Sequence, residues 1–262
     1  MKKGIKTTLW LIIGIFFLGI LSFAWILYGG ISNPGNRKTI GGIRPPVGYE
    51  RVEVDNDSFG AFIRAFPLKK RGSHMYYYDG QLALMQYWGY AVLDLPMLSN
   101  NEQCADAVMR IYSEYLWNKR KPNDVHFLNY SGKDERYTGS KEDRKAFEKY
   151  LRHIFDVSNT GTIRKQLKKK AWKDIAPGDV LVYPAANNHS SGHAVLVADV
   201  AVNARTGKKA IMLAQSSTPA LTMHIIRDFL HPVKSPWLII DDKTSDIFIS
   251  GISFNAEDLR TW

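Results

Sequence analysis

The stretch 176-APGDVLVYPAANNHSSGHAVLVADV-200 decides how this chain is read. Gly178-Asp179 is turn chemistry, and it opens a β-branched run. A polar loop follows, and Gly192-His193 then opens a longer apolar run. Two strands joined by a loop are expected, at 179–184 and 193–202. The segment NARTG at 203–207 supplies a hairpin turn, and a third strand is expected at 209–216. A fourth β pattern lies at 246–254. No helical pattern separates the first three runs, so they read as antiparallel neighbours.

Upstream the period changes. In 99-SNNEQCADAVMRIYSEYL-116, apolar residues recur at Ala107, Val108, Ile111, Tyr115 and Leu116, with Cys104 on the same stripe. Ser99 and Glu102 have capping-box spacing, and Asn100 or Asn101 also suits a cap. An amphipathic helix is expected whose buried stripe begins at the cysteine, with Asp106, Arg110 and Glu114 turned away. A short helix is expected at 58–68, ended by Pro67, and another at 142–155. Strands are expected at 74–80, 89–95 and 124–130. A helix followed by antiparallel strands defines an α+β domain.

The chain has 262 residues, 45% of them hydrophobic, which suits one large globular domain with extensions. The start differs from the rest. Lys2, Lys3 and Lys6 precede 8-TLWLIIGIFFLGILSFAWILY-28, which carries no charge. At helical rise this run reaches about 30 Å, the thickness of a bilayer's hydrocarbon core. The lysines place the N-terminus in the cytoplasm and the remainder outside it. Residues 1–28 are therefore expected to be a single-pass anchor; Ser22-Phe23-Ala24 has the small-x-small form of a cleavage site, but the apolar run continues through Trp25 to Tyr28, which favours an uncleaved anchor. Residues 29–48, rich in Gly, Pro and Asn, are expected to be a tether, and 49–262 the extracytoplasmic domain.

The net charge is +10. Part of it flanks the apolar run, and part lies in 164-RKQLKKKAWK-173, read as a solvated helix face or as an attraction for anionic envelope polymer or lipid. Nucleic acid is a poor partner, because the domain is expected outside the cytoplasm and no nucleic-acid motif occurs.

One cysteine and seven histidines bound the chemistry. A thiol attacks only as thiolate, and a helix N-terminus or an adjacent histidine favours that form. Cys104 has the first of these by position. His193 opens a strand after a glycine, which suits presentation of its ring at a sheet edge. Gln215 ends the next strand on the face of Ile211 and Leu213, and a buried amide there needs a partner such as an imidazole. Asp179 reads as a turn residue. His189 and His193 are four apart, but in a loop and strand with no third ligand, so no metal is expected. Tyr76, Tyr77, Tyr78, Tyr87, Trp88 and Tyr90 read as packing, or as the lining of a groove for sugar or peptide.

The order of a cysteine at a helix start, a Gly-Asp strand, a Gly-His strand and a strand ending in a polar residue resembles the NlpC-like and CHAP branches of the papain-like cysteine peptidases. Gln103-Cys104 is similar to the Gln-Cys pair of CHAP domains. QCADAVMRIYSEYL, GHAVLVADV and LAQSSTPALTMHIIRD resemble the bacterial domain-of-unknown-function family numbered 4846, from about Gly48 to Trp262. The peptidase resemblance implies an NlpC/CHAP-type core, with a Cys-bearing helix on an antiparallel sheet. It implies Cys104 as nucleophile, His193 as general base and Gln215 as third residue, with Gln103 as an oxyanion candidate. Asp199, at even spacing from His193, is the alternative third residue. No cofactor is implied. The expected activity is hydrolysis of cell-wall peptide amides through a thioester. A non-catalytic envelope-binding protein and an acyl transferase are the alternatives.

Overall fold

The computed structural model describes residues 2–27, 37–184, 192–229, 231 and 233–262. The chain begins with α1 (Lys2–Leu27), whose side chains are described over 10–23. Among the described residues, no helix is long and apolar enough to cross a membrane. Tyr28 at the end of the expected anchor and residues 29–36 of the expected tether lie outside the described residues.

The folded domain begins earlier than the Tyr49 expected from composition. Ile40 and Ile43 are fully buried in the main core, and the Ile40 amide bonds the Phe66 carbonyl at 3.1 Å. Gly and Pro density signalled a tether, but two isoleucines in it found apolar surface to cover.

The chain then forms β1 (Glu50–Arg51), α2 (Phe59–Ala65) and β2 (Gly89–Val92). Ser58 caps α2, its hydroxyl accepting from the Ala61 amide at 3.1 Å. The strand expected at 74–80 is absent as a run. Tyr76 and Tyr77 make only isolated bridges, to Leu82 and Leu221. Helix α3 (Cys104–Asn118) follows, then the small hairpin β3 (His126–Leu128) and β4 (Asp134–Arg136). Next come α4 (Arg144–Val157) and α5 (Thr160–Gln166). The basic run read as one helix face is divided: its first residues finish α5, and β5 (Lys168–Lys169) comes next.

The rest is β: β6 (Val180–Tyr183), β7 (His193–Val202), β8 (Lys209–Gln215), β9 (His224–Ile226), β10 (Trp237–Ile240), β11 (Asp246–Ile249), β12 (Ile252–Asn255) and β13 (Leu259–Thr261). The pattern at 246–254 is thus a hairpin, turned by Ser250 and Gly251, which both have positive φ. A nine-stranded antiparallel sheet runs in the order β2-β9-β8-β7-β6-β13-β5, with β1 added to β7 and β10 to β8.

Strand β7 is the centre, and nine of its ten residues are buried. Its two faces meet different layers. Ala194, Leu196 and Ala198 join the core of α3 and α4, including Val108, Ile111 and Leu151. Val195, Val197 and Val200 join Ile247, Ile249 and Phe254 of the β11–β12 hairpin. The pairing with β8 slips by one residue between Val197 and Asp199, a bulge that switches the alternation. The expected α+β class and the helix on an antiparallel sheet are both present.

Candidate active site

Helix α3 begins at Cys104, with Gln103 as N-cap. The cap is formed by Asp106, whose Oδ2 accepts from the Gln103 amide at 3.0 Å, and not by the Ser99–Glu102 pair. Glu102 turns inward instead. Its Oε2 accepts from the Leu98 amide at 2.6 Å and lies 3.6 Å from Arg110. Asp106 and Arg110 are therefore buried rather than turned to solvent. Arg110 Nε also bonds Glu114 at 2.6 Å, so the ion pairs make burial of that helix face tolerable.

The Cys104 sulfur lies 4.0 Å from the carbonyl oxygen of Gly192, the residue just before β7. Gly192 is obligatory here. A Cβ would fall 2.8 Å from the Tyr183 carbonyl oxygen and 3.0 Å from Thr160. The thiol is 4% exposed, and burial pushes its pKa up. The amides of Ala194 and Ala105 and the Thr160 hydroxyl oppose that rise. The thiolate expected from the helix position is thus outweighed by desolvation, and the resting group is a neutral thiol.

His193 Nε2 lies 2.8 Å from Gln215 Oε1, and Gln215 Nε2 donates to Ser250 Oγ at 2.8 Å. With the amide nitrogen on Ser250, the amide oxygen faces the ring. Nε2 then carries the proton and Nδ1 keeps a lone pair. Burial lowers the His193 pKa against the opposing pull of Gln215, so the ring is neutral at neutral pH. The expected His193–Gln215 partnership is present, and Ser250, on a hairpin turn some 35 residues further on, completes it.

Cys104 and His193 line different clefts beside the start of β7. Cys104 reaches β7 from the α3 layer. The His193 ring, alternating with Ala194, lies 6.2 Å from Phe254 in the hairpin layer. Cys104 lines a polar cleft of about 290 Å³ with Asp106, Tyr130 and Asp156. His193 and Gln215 line the adjoining cleft of about 330 Å³ with Tyr77, Trp88 and Thr218. Gln103 joins the two sides, its Oε1 accepting from the Thr218 hydroxyl at 2.9 Å. Tyr77 and Trp88 are the aromatic residues of the sequence cluster that reach this second cleft.

Asp199 is not placed to serve His193. The bulge removes it from the even spacing that suggested the pairing. It is fully buried between Arg51 Nε at 2.6 Å and Arg64 Nε at 2.7 Å, tying β1 and α2 to the sheet. Asp179 behaves as the turn residue expected, accepting from the Ala176 amide at 2.7 Å and pairing with Lys170. His189 lies outside the described residues, and among those described no group of three or more metal-ligating side chains occurs.

His224 was missed. It pairs with Gln215 across β8 and β9 and lines the same cleft. Its Nδ1 bonds the Thr222 carbonyl at 3.0 Å, while its Nε2 is buried without a partner among the described residues. Burial drives its pKa down to about 4. Three apolar-flanked residues, MHI, gave no signal beyond a histidine in a strand.

The fold and this histidine–glutamine site define an α+β domain with one cysteine at a helix start. The chain is a member of the family described as Domain of unknown function (4846), which matches residues 41–142 and 135–261. No curated protein and no solved structure matches it.

Proposed function

We propose that this chain is a membrane-anchored envelope hydrolase that cleaves amide bonds of cell-wall peptides through Cys104. The observation that carries the reading is the His193–Gln215 bond of 2.8 Å, which leaves Nδ1 as a base at the strand start whose preceding carbonyl touches the Cys104 sulfur. The thiol proton passes to His193 Nδ1 as sulfur attacks the carbonyl carbon. The tetrahedral intermediate collapses, the C–N bond breaks, and the imidazolium proton goes to the leaving amine. Water, activated by the neutral ring, then hydrolyses the thioester. The Cys104 amide and the Gln103 side chain support the oxyanion. Gln215 holds the ring in one tautomer throughout. The neutral resting pair gives a thiolate only when proton transfer accompanies attack.

The apolar side chains of α1 favour the anchor: Trp10, Leu11 and Phe16 are each more than half exposed. The lysines before them favour an outward-facing domain.

The separate clefts of Cys104 and His193 favour a second reading, an envelope protein that binds peptide without cleaving it. Full-length protein incubated with muropeptides and quenched in acid distinguishes the two. The hydrolase reading expects an acyl adduct on Cys104 by mass spectrometry, cleaved product, and loss of both in Cys104→Ser and His193→Ala. Product joined to an added amine identifies a transferase. Bound but intact muropeptide, indifferent to both substitutions, establishes the binding protein and sinks the hydrolase.

A further inference from the structure

A cleft of about 410 Å³ lies away from Cys104. It is lined by Arg37, Lys69, Lys70, Arg71, His74 and Arg227, and among the described residues no Asp or Glu lines it. Two of the guanidinium groups are held by backbone carbonyls. Arg37 Nη2 donates to the Tyr90 carbonyl, and Arg227 donates to those of Tyr87 and Gly89 at 3.0 and 3.1 Å. Both also sit over the Tyr90 ring, at 4.2 and 5.5 Å. The result is a positive concavity. Among the described residues Arg37 Nε is buried there with no hydrogen-bond partner, a donor without its acceptor. Burial lowers the Arg37 pKa, Tyr90 opposes that, and the like charge of Arg71 adds to the lowering, so these two guanidinium groups repel each other.

An anion with several oxygens relieves this repulsion and supplies the missing acceptor. Phosphate suits it best, because guanidinium forks match two of its oxygens at once. The covalent path narrows the source. α1 ends at Leu27 and Arg37 lines the cleft, so nine residues lie between them, ten Cα-to-Cα steps in all. Fully extended, those residues reach at most about 35 Å. Where α1 crosses the bilayer, the cleft is tethered within that distance of the lipid surface.

We propose that this basic cleft binds the phosphate of an anionic phospholipid headgroup, holding the domain against the membrane beside its own anchor. The choice of lipid as the source rests on the anchor reading; the phosphate chemistry does not, and neither involves Cys104.

The test uses the full-length chain in neutral detergent. Native mass spectrometry compares retention of phosphatidylglycerol and phosphatidylcholine from mixed micelles, and calorimetry follows inorganic phosphate. Phosphatidylglycerol is expected to be retained at least about tenfold over phosphatidylcholine, with weaker binding of inorganic phosphate. The double variant Lys70→Gln, Arg71→Gln, at exposed positions, should lose at least tenfold on both ligands. Lys165→Gln with Lys168→Gln, in the other basic run, should change neither, and Cys104→Ser should also change neither. Phosphate binding that Lys70 and Arg71 control, without any preference between the lipids, overturns the membrane source. Absence of phosphate binding, or equal losses in the two lysine-bearing double variants, overturns the site itself.

Discussion

His193 and Gln215 stand on adjacent strands and meet at 2.8 Å, and the second end of the same amide reaches Ser250. An amide held at both ends can offer only its oxygen to the ring. This makes the tautomer of His193 a property of the β11–β12 turn as much as of its own strand.

Gln215→Glu tests that relationship. A carboxylate in place of the amide oxygen favours the imidazolium, and a hydrogen bond to a charged group adds about 1.5–3 kcal/mol. The His193 pKa, now lowered by burial, should rise. Ring-nitrogen shifts in an NMR titration read this directly. An unchanged titration would mean that Gln215 does not touch the ring in solution.

His224 gives the protein an acid-side weakness. Its folded pKa is about 4, below the 6.5 of an ordinary histidine. A depressed histidine is unprotonated in the folded state where the unfolded chain binds a proton. Stability is therefore full above pH 6.5 and falls as pH drops from there towards 4, after which this contribution levels off. The loss should approach roughly 3 kcal/mol. Denaturant unfolding at pH 7 and pH 4.5 measures it, and His224→Gln should flatten the difference. Parallel slopes in the two proteins would assign acid sensitivity elsewhere.

Asp199→Asn separates structure from chemistry. The substitution leaves Arg51 and Arg64 facing a neutral amide in a fully buried place. Breaking a buried pair from one side costs about 3–5 kcal/mol, so the melting temperature should drop by many degrees. At a temperature where the variant is folded, any Cys104-dependent cleavage should persist. Cleavage lost with full stability retained would restore Asp199 to the site.

Much of this architecture was written locally. Helix α3 announced itself through the recurrence at Ala107, Val108 and Ile111, and β6, β7 and β8 through apolar runs set between glycine-rich turns. Local periodicity and turn chemistry depend on neighbours within one or two turns, which any sequence displays. The amide at Gln215 was legible for the same reason: a polar residue ending an apolar strand must be satisfied somewhere.

Tertiary structure decided what joined these pieces. The last strand, β13, enters between β6 and β5, a pairing set by which edge was left open and not by any motif in LRT. One extra residue in β7 turned Asp199 from the histidine's companion into the partner of two arginines, because a register slip reverses every later side chain. Burial, too, overruled local chemistry: the helix start offered Cys104 a thiolate, and desolvation withheld it. The basic cleft gathers Arg37, residues 69–71 and Arg227 from three distant parts of the chain. Their convergence follows from non-local strand pairing, whose partners are chosen by the apolar surface each strand has left to cover.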